Sequence, residues 1–325
     1  MFSQEGHPAA HGGGLFLRAG ALASAFCLSF LAAGCNAGIN QHATALAAAT
    51  APVVDQAAEA YRQAQAIHAQ SVDYDAAAAF DQNNVFAPAS IQDWPAEKDI
   101  QIRLAVLTAF QLYVKELEQI TAGTDSPALD AASKSVGENL STLANTLAPT
   151  GTTTTTSTST SSTLPPLISS GVQNAISTAI DALGQFLVNR TINKELPQQI
   201  EAMDPHVQAL CGLLAKDIEL IQEQEKIDSN DVIDKQTAFL REAKLDPEER
   251  RVEFMKLPEM ARRQAANDQA LTELHAAIVN LMMTHHALAA AAQGNNPESF
   301  TQKLKDLGAA GSSLGKFYSS LPAAQ

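Results

Sequence analysis

Four side chains capable of soft-metal chemistry fall close together near the C-terminus: Met282, Met283, His285 and His286. On a helix they share a turn and a half, and thioether sulfur with imidazole at i, i+3 and i+4 is a donor set that binds copper or axially ligates haem between helices. A fold-back at about Asp246 would set residue 285 opposite residue 207, bringing His206 and Cys211 to the same end of a bundle. The candidate ligand set is therefore His206, Met282, His285 and His286. A structural role competes with it, because Met commonly fills core gaps and His285 falls on an apolar seam.

Other chemistry is scarce in the sequence. It contains no glycine-rich phosphate loop, no G-x-S-x-G elbow, no H-E-x-x-H and no C-x-x-C. Asp228, Ser229 and Asn230 open like a calcium loop, but Val232 stands where the next oxygen ligand belongs. Glu219, Glu223 and Glu225 follow helical spacing and read as a solvated face. With no recognisable pairing of nucleophile and base, the expectation is a protein that is not an enzyme.

The N-terminus carries a different kind of signal. Residues 19–33 are an uncharged, largely apolar run that follows Arg18 and leads into Leu31-Ala32-Ala33-Gly34-Cys35. This ending resembles the lipobox of bacterial lipoproteins. The resemblance implies a signal peptide over residues 1–34, lipidation at Cys35, and export to the cell envelope. By the same analogy, Asn36 implies the outer membrane, with the protein facing the periplasm. Two or three acyl chains, at ~0.8 kcal/mol per buried methylene, would then serve as membrane anchor. Ala19 to Ile39 is also 21 residues without charge, long enough to remain as an uncleaved span.

Composition narrows the partners. The chain has 35 acidic and 21 basic residues and a net charge of −14, a field that repels phosphate backbones and argues against nucleic acid. Hydrophobic residues make up 46% but aromatics only 5%, so the core must be built largely from Ala and aliphatics, which favours helices. Of the cysteines Cys27, Cys35 and Cys211, only Cys211 would remain as a free thiol after cleavage and lipidation. No intrachain disulfide could form, and Cys211 reads as a small buried hydrophobe.

Helical periodicity then places the elements. A tether over 35–43 leads into an N-terminal helical region over 44–148. Its first helix runs from about Thr44 to Gln70 with Val54, Ala57, Tyr61, Ala64 and His68 on one face, and a loop through Asp81 and Pro88 follows. A second helix starts near Asp93, Trp94 and Pro95. Its stripes Ile100, Leu104, Leu107, Val114, Leu117 and Ile102, Val106, Phe110, Tyr113 predict the most buried segment, ending at Gly123. A third runs from Asp125, Ser126 and Pro127 to about Leu147.

Residues 152–163 are Thr and Ser throughout, which marks 149–166 as a linker between domains or a long loop within one bundle. In the C-terminal helical bundle, 167–325, a helix over Leu167 to Asn189 precedes two long segments. These start at Asp204-Pro205 and Asp246-Pro247 and form an antiparallel hairpin on the order of 60 Å long. Pro258 and the Asp228 to Asp231 patch are expected to kink it. Leu271, Leu274, Ile278, Leu281, His285 and Leu288 make a local coiled-coil seam that fails at Gln264 and Asn267. A short last helix begins at Asn296-Pro297, and Gly308, Gly311 and Gly315 loosen the tail.

The sequence therefore predicts an all-α antiparallel helical bundle with a long C-terminal hairpin. The function expected is that of a membrane-anchored envelope lipoprotein, a helical binding or scaffold protein with a protein partner. It would carry no cofactor beyond the covalent lipid on Cys35. The alternative is a periplasmic copper- or haem-binding bundle using the four ligand candidates.

Overall fold

Long alanine-rich stretches with few β-branched residues favour helix, and helix is what they form. The computed structural model describes residues 37–83, 86, 93–124, 126–147, 173–189, 196–293 and 297–320. Cys35, the signal segment and the linker over 149–166 lie outside the described residues. The order is α1 (Ala37–Asn83), α2 (Glu97–Ala122), α3 (Pro127–Leu147), α4 (Gln173–Val188), α5 (Leu196–Glu242), α6 (Pro247–Ala292) and α7 (Pro297–Ser320), with no strand among the described residues. None of these helices is long and apolar enough to cross a membrane.

The antiparallel pair α5–α6 is the spine, each arm roughly 70 Å long at 1.5 Å per residue. Asp246 opens α6 with a full capping box: its carboxylate accepts the amides of Glu248 and Glu249, while the Glu249 side chain accepts the amide of Asp246. The coiled-coil seam is in place, with Leu271, Leu274, Ile278, Leu281, His285 and Leu288 all buried. Partners on α1 and α5 advance together, so these two helices are parallel: Tyr61 meets Asp217, and His68 meets Asp228. On α2 the order reverses, with Arg103 at Asp217 and Tyr113 near the level of Asp204. From Ile39 onward the chain is one compact unit, so the helices on both sides of the linker share a core.

Several boundaries differ from the periodicity reading. Instead of ending near Gln70, α1 runs to Asn83, sustained by Ala76 to Ala79. The side chain of Asp93 does not cap α2; the cap residue is Ala96, and Trp94 is buried beside the His68 ring. Nor does α5 begin at Asp204-Pro205. It starts at Leu196 because Ile200 and Met203 continue the buried face, and Asp204 spends its carboxylate on the neighbouring helix. Helix also continues through Pro258 and through Asp228 to Asp231. Asn267 is buried where the seam was expected to fail. The C-terminal glycines do not break α7, which docks through Phe300 and Leu307 and lays Gly311 against Pro52 of α1.

Helices α3 and α4 cross closely at two facing glycines. A Cβ on Gly137 would meet the Gly184 carbonyl oxygen at 2.7 Å, and one on Gly184 would meet that of Gly137 at 2.9 Å. Backbone cannot yield there as a flexible side chain can. Gly137→Ala or Gly184→Ala should therefore lower stability by about 1–3 kcal/mol in urea melts. Gly212, with open space around it, is the control: Gly212→Ala should be neutral, or stabilising by up to ~1 kcal/mol.

Candidate functional site

The predicted register holds to within a turn, and it brings His285 and His286 together on Asp204. His285 Nδ1 lies 3.0 Å from Asp204 Oδ1, and His286 Nδ1 lies 2.7 Å from Oδ2. Gln208 donates to the same carboxylate at 2.6 Å. On its far side His285 places Nε2 2.8 Å from the Tyr113 hydroxyl, so both ring nitrogens of this fully buried residue are engaged. Burial pushes the Asp204 carboxyl up, but the bonds from His285, His286 and Gln208 outweigh it and bring it down to about 2.

The other candidates stand apart from this cluster. His206 is half-buried on α5 and is not among the donors to Asp204. Met282 packs partly buried against the core, and Met283 is exposed. Cys211 is buried as expected, its thiol pushed up to about 12 by burial and by Asp204. Among the described residues no group of three or more His, Cys, Asp or Glu side chains has metal-holding geometry.

Two further polar centres follow along α5. Asp217, wholly buried, receives Arg103 through Nε at 2.8 Å and Nη2 at 3.2 Å, and the Tyr61 hydroxyl at 3.0 Å. Such a fork on a carboxylate is strong and directional. Burial drives the Tyr61 hydroxyl well above its ordinary range, with the Asp217 charge adding to it. Asp228 holds His68 Nδ1 at 3.0 Å and the Gln224 amide at 2.9 Å, while the buried His68 Nε2 has no hydrogen-bond partner.

Glu225, read from sequence as part of a solvated face, is buried instead. Burial, together with the Asp228 and Asp268 charges, pushes its carboxyl up to about 8. Glu116 is a second buried acid, 2.5 Å from the Ser133 hydroxyl of α3. The sequence did carry one signal for the α5 centres. Asp217 and Asp228 continue the spacing of Val207, Leu210, Leu214 and Ile221, and so occupy seam positions.

No family model matches this chain, and no curated protein or solved structure matches it either. The geometry itself separates two regions. Where α1, α2, α5 and α6 meet, the polar groups are buried and bonded to one another. Beyond Ala64, Ile221 and Leu271 the continuous apolar core stops. The arm that remains, formed by the ends of α1, α5 and α6, exposes Phe80, Ile227, Phe239, Val252, Phe254 and Met255.

Arg103→Met would leave a buried carboxylate without its cation and should cost about 3–5 kcal/mol in urea unfolding. Adding Asp217→Leu should recover much of that loss. For Glu225 the folded state holds its proton more tightly than the unfolded state, whose ordinary value is 4.5. Stability is then full below about pH 4.5 and is lost as pH rises through about 8. Compared with Glu225→Gln, the parent protein should lose on the order of 1 kcal/mol per pH unit across that window. Parallel stability curves for the two proteins would refute this.

Proposed function

We propose that this chain is an exported lipoprotein moored through Cys35 to the cell envelope, at the outer membrane and facing the periplasm. Its bundle acts as a non-enzymatic scaffold that docks a protein partner at the far end of the α5–α6 arm. The observation that carries the docking role is the placement of the exposed large apolar side chains. Phe239, Val252, Phe254 and Met255 lie within about three turns of the hairpin turn, and Phe80 reaches the same level on α1. Large apolar side chains left exposed at one end of a bundle favour an interaction surface there.

Charge favours the same place. The chain is strongly acidic, yet along this stretch of α6 Arg250, Arg251, Lys256, Arg262 and Arg263 offset Glu248, Glu249, Glu253 and Glu259. A partner approaching the α6 side of the arm meets little net repulsion, whereas the α1 and α5 sides keep an acidic excess. The tether fits the geometry too: α1 begins two residues after Cys35 and ends at the arm. Copper or haem binding has weaker support, because both nitrogens of His285 are occupied by Asp204 and Tyr113.

Photocrosslinking in cells tests the docking role. A photoreactive residue in place of Met255 should yield a discrete protein adduct, while one in place of exposed Glu138 on α3 should not. Equal adducts at both positions, or none at Met255, would remove the assignment. Mass spectrometry of the mature protein tests the tether separately, with a diacylglyceryl thioether on an N-terminal Cys35 as the expected result.

A further inference from the structure

The distal part of α1 is held differently from the rest of that helix. Up to Ala64 its inner face belongs to the continuous apolar core, through Leu46, Val53, Val54, Ala57, Tyr61 and Ala64. Beyond that point no residue of α1 contributes to the core. What joins it to α5 is a ladder of polar rungs at a constant sequence offset.

His68 Nδ1 meets Asp228 Oδ2 at 3.0 Å, the Ser71 hydroxyl donates to Asp231 Oδ2 at 2.9 Å, and Asp75 pairs with Lys235, which also pairs with Asp231. The rungs are graded. His68 and Asp228 have side-chain exposures of 7% and 6%, whereas Lys235 and Asp75 have 21% and 63%. Exposed ion pairs contribute little and are screened by salt, while a buried pair is costly to break once formed. The outer rung is thus the weak one and the inner rung the strong one.

Beside the innermost rung lies a crevice of about 200 Å³, walled on α1 by Ile67 and Gln70 and on α5 and α6 by Ser229, Val232, Met260 and Asn267 among others. Close packing is incomplete at the root of this segment, and no α1 side chain from 72 to 81 is buried, so lifting the end of α1 sacrifices few apolar contacts.

We propose that residues 69–83 of α1 are a strap that lifts from the α5–α6 hairpin, with the His68–Asp228 rung as its hinge and stop. Lifting opens the crevice and bares the inner face of the arm to the docking partner. This regulation rests on the arm being the docking end, but the strap motion can be measured without any partner. The release is graded: the Lys235 rung parts first, then Ser71–Asp231, and the motion halts where burial begins.

Hydrogen exchange on the full chain tests this. Amides of 70–83 should exchange at least about tenfold faster than those of 46–64. High salt or Lys235→Ala should speed exchange in 70–83 severalfold and leave 46–64 unchanged. Asp228→Ala should move the boundary of fast exchange back toward Ala64. Replacing His68 and Asp228 together by Leu supplies an apolar hinge and should hold that boundary in place.

A response to a lysine on α5 shows that the rung, and not the helix's own propensity alone, holds this segment down. A second readout comes from α6: hydroxyl-radical labelling of Met260 should rise severalfold in Lys235→Ala. Uniform exchange along α1, or a Lys235→Ala variant with neither change, would overturn the strap. Met255 crosslinks persisting in that case would leave the docking role standing, whereas a mobile strap with no Met255 adduct would overturn docking alone.

Discussion

The architecture depends on three buried aspartates that gather partners along a single helix. Asp204, Asp217 and Asp228 lie on the inner face of α5, and each collects partners from a different set of neighbours: His285 and His286 of α6, Tyr61 of α1 with Arg103 of α2, and His68 of α1. A seam of Leu, Ile and Ala repeats every seven residues and would tolerate sliding by a heptad with little loss of burial. A buried charge does not tolerate it, since a slipped register leaves Arg103 or Asp217 without its counterpart at a cost of several kcal/mol. Apolar burial gives the bundle its stability, and the carboxylates give it a single register. The three centres also span most of α5, so neighbours from both halves of the chain are indexed to the same rod.

This division explains what could be read from the residues alone. Apolar periodicity is a local property, so the α6 seam, the buried α2 stripes and the α1 face from Val54 to His68 were legible, as were the Asp246 cap and the Gly123 stop. The position of the turn set the hairpin register, which placed residue 285 opposite residue 207 when its observed partner on α5 is Asp204. The partnerships themselves were not legible. Arg103, Asp217 and Glu225 resemble solvent-facing charges until another helix is laid over them, and the bond that decides the first two joins residues more than a hundred positions apart. Asp204 shows the ambiguity in one residue: before a proline it reads as a helix cap, yet it sits within α5 as the acceptor for two histidines. The same applies to the candidate ligands, where spacing brought the imidazoles close but only tertiary contacts decided that they share a carboxylate.

The arm departs from the core in composition before it does so in function. Toward the root, polar groups are few, buried and bonded; toward the tip, apolar side chains are exposed and the bonds between helices become ionic and wet. Such an inversion costs stability in an isolated bundle, because large side chains that could have been buried remain in water. The loss has a structural counterpart in the small residues of α1, where only Ala76 and Ala78 of the run Ala76 to Ala79 are even half-buried. A bulkier run there would have extended the core and buried the arm. Keeping it thin leaves apolar surface available to a second molecule.

Length completes the argument. A single uninterrupted helix such as α1 transmits position without the slack of a loop, and at 1.5 Å per residue it spans on the order of 70 Å. Its N-terminal end follows the lipobox-like cysteine in the sequence, and its C-terminal end reaches the arm. A helix docked on α5 through Asp217 and Asp228 holds its C-terminal end in a fixed place on the hairpin. The buried pairs of α5 therefore fix the register of the bundle and, through the same contacts, the direction in which α1 carries the arm.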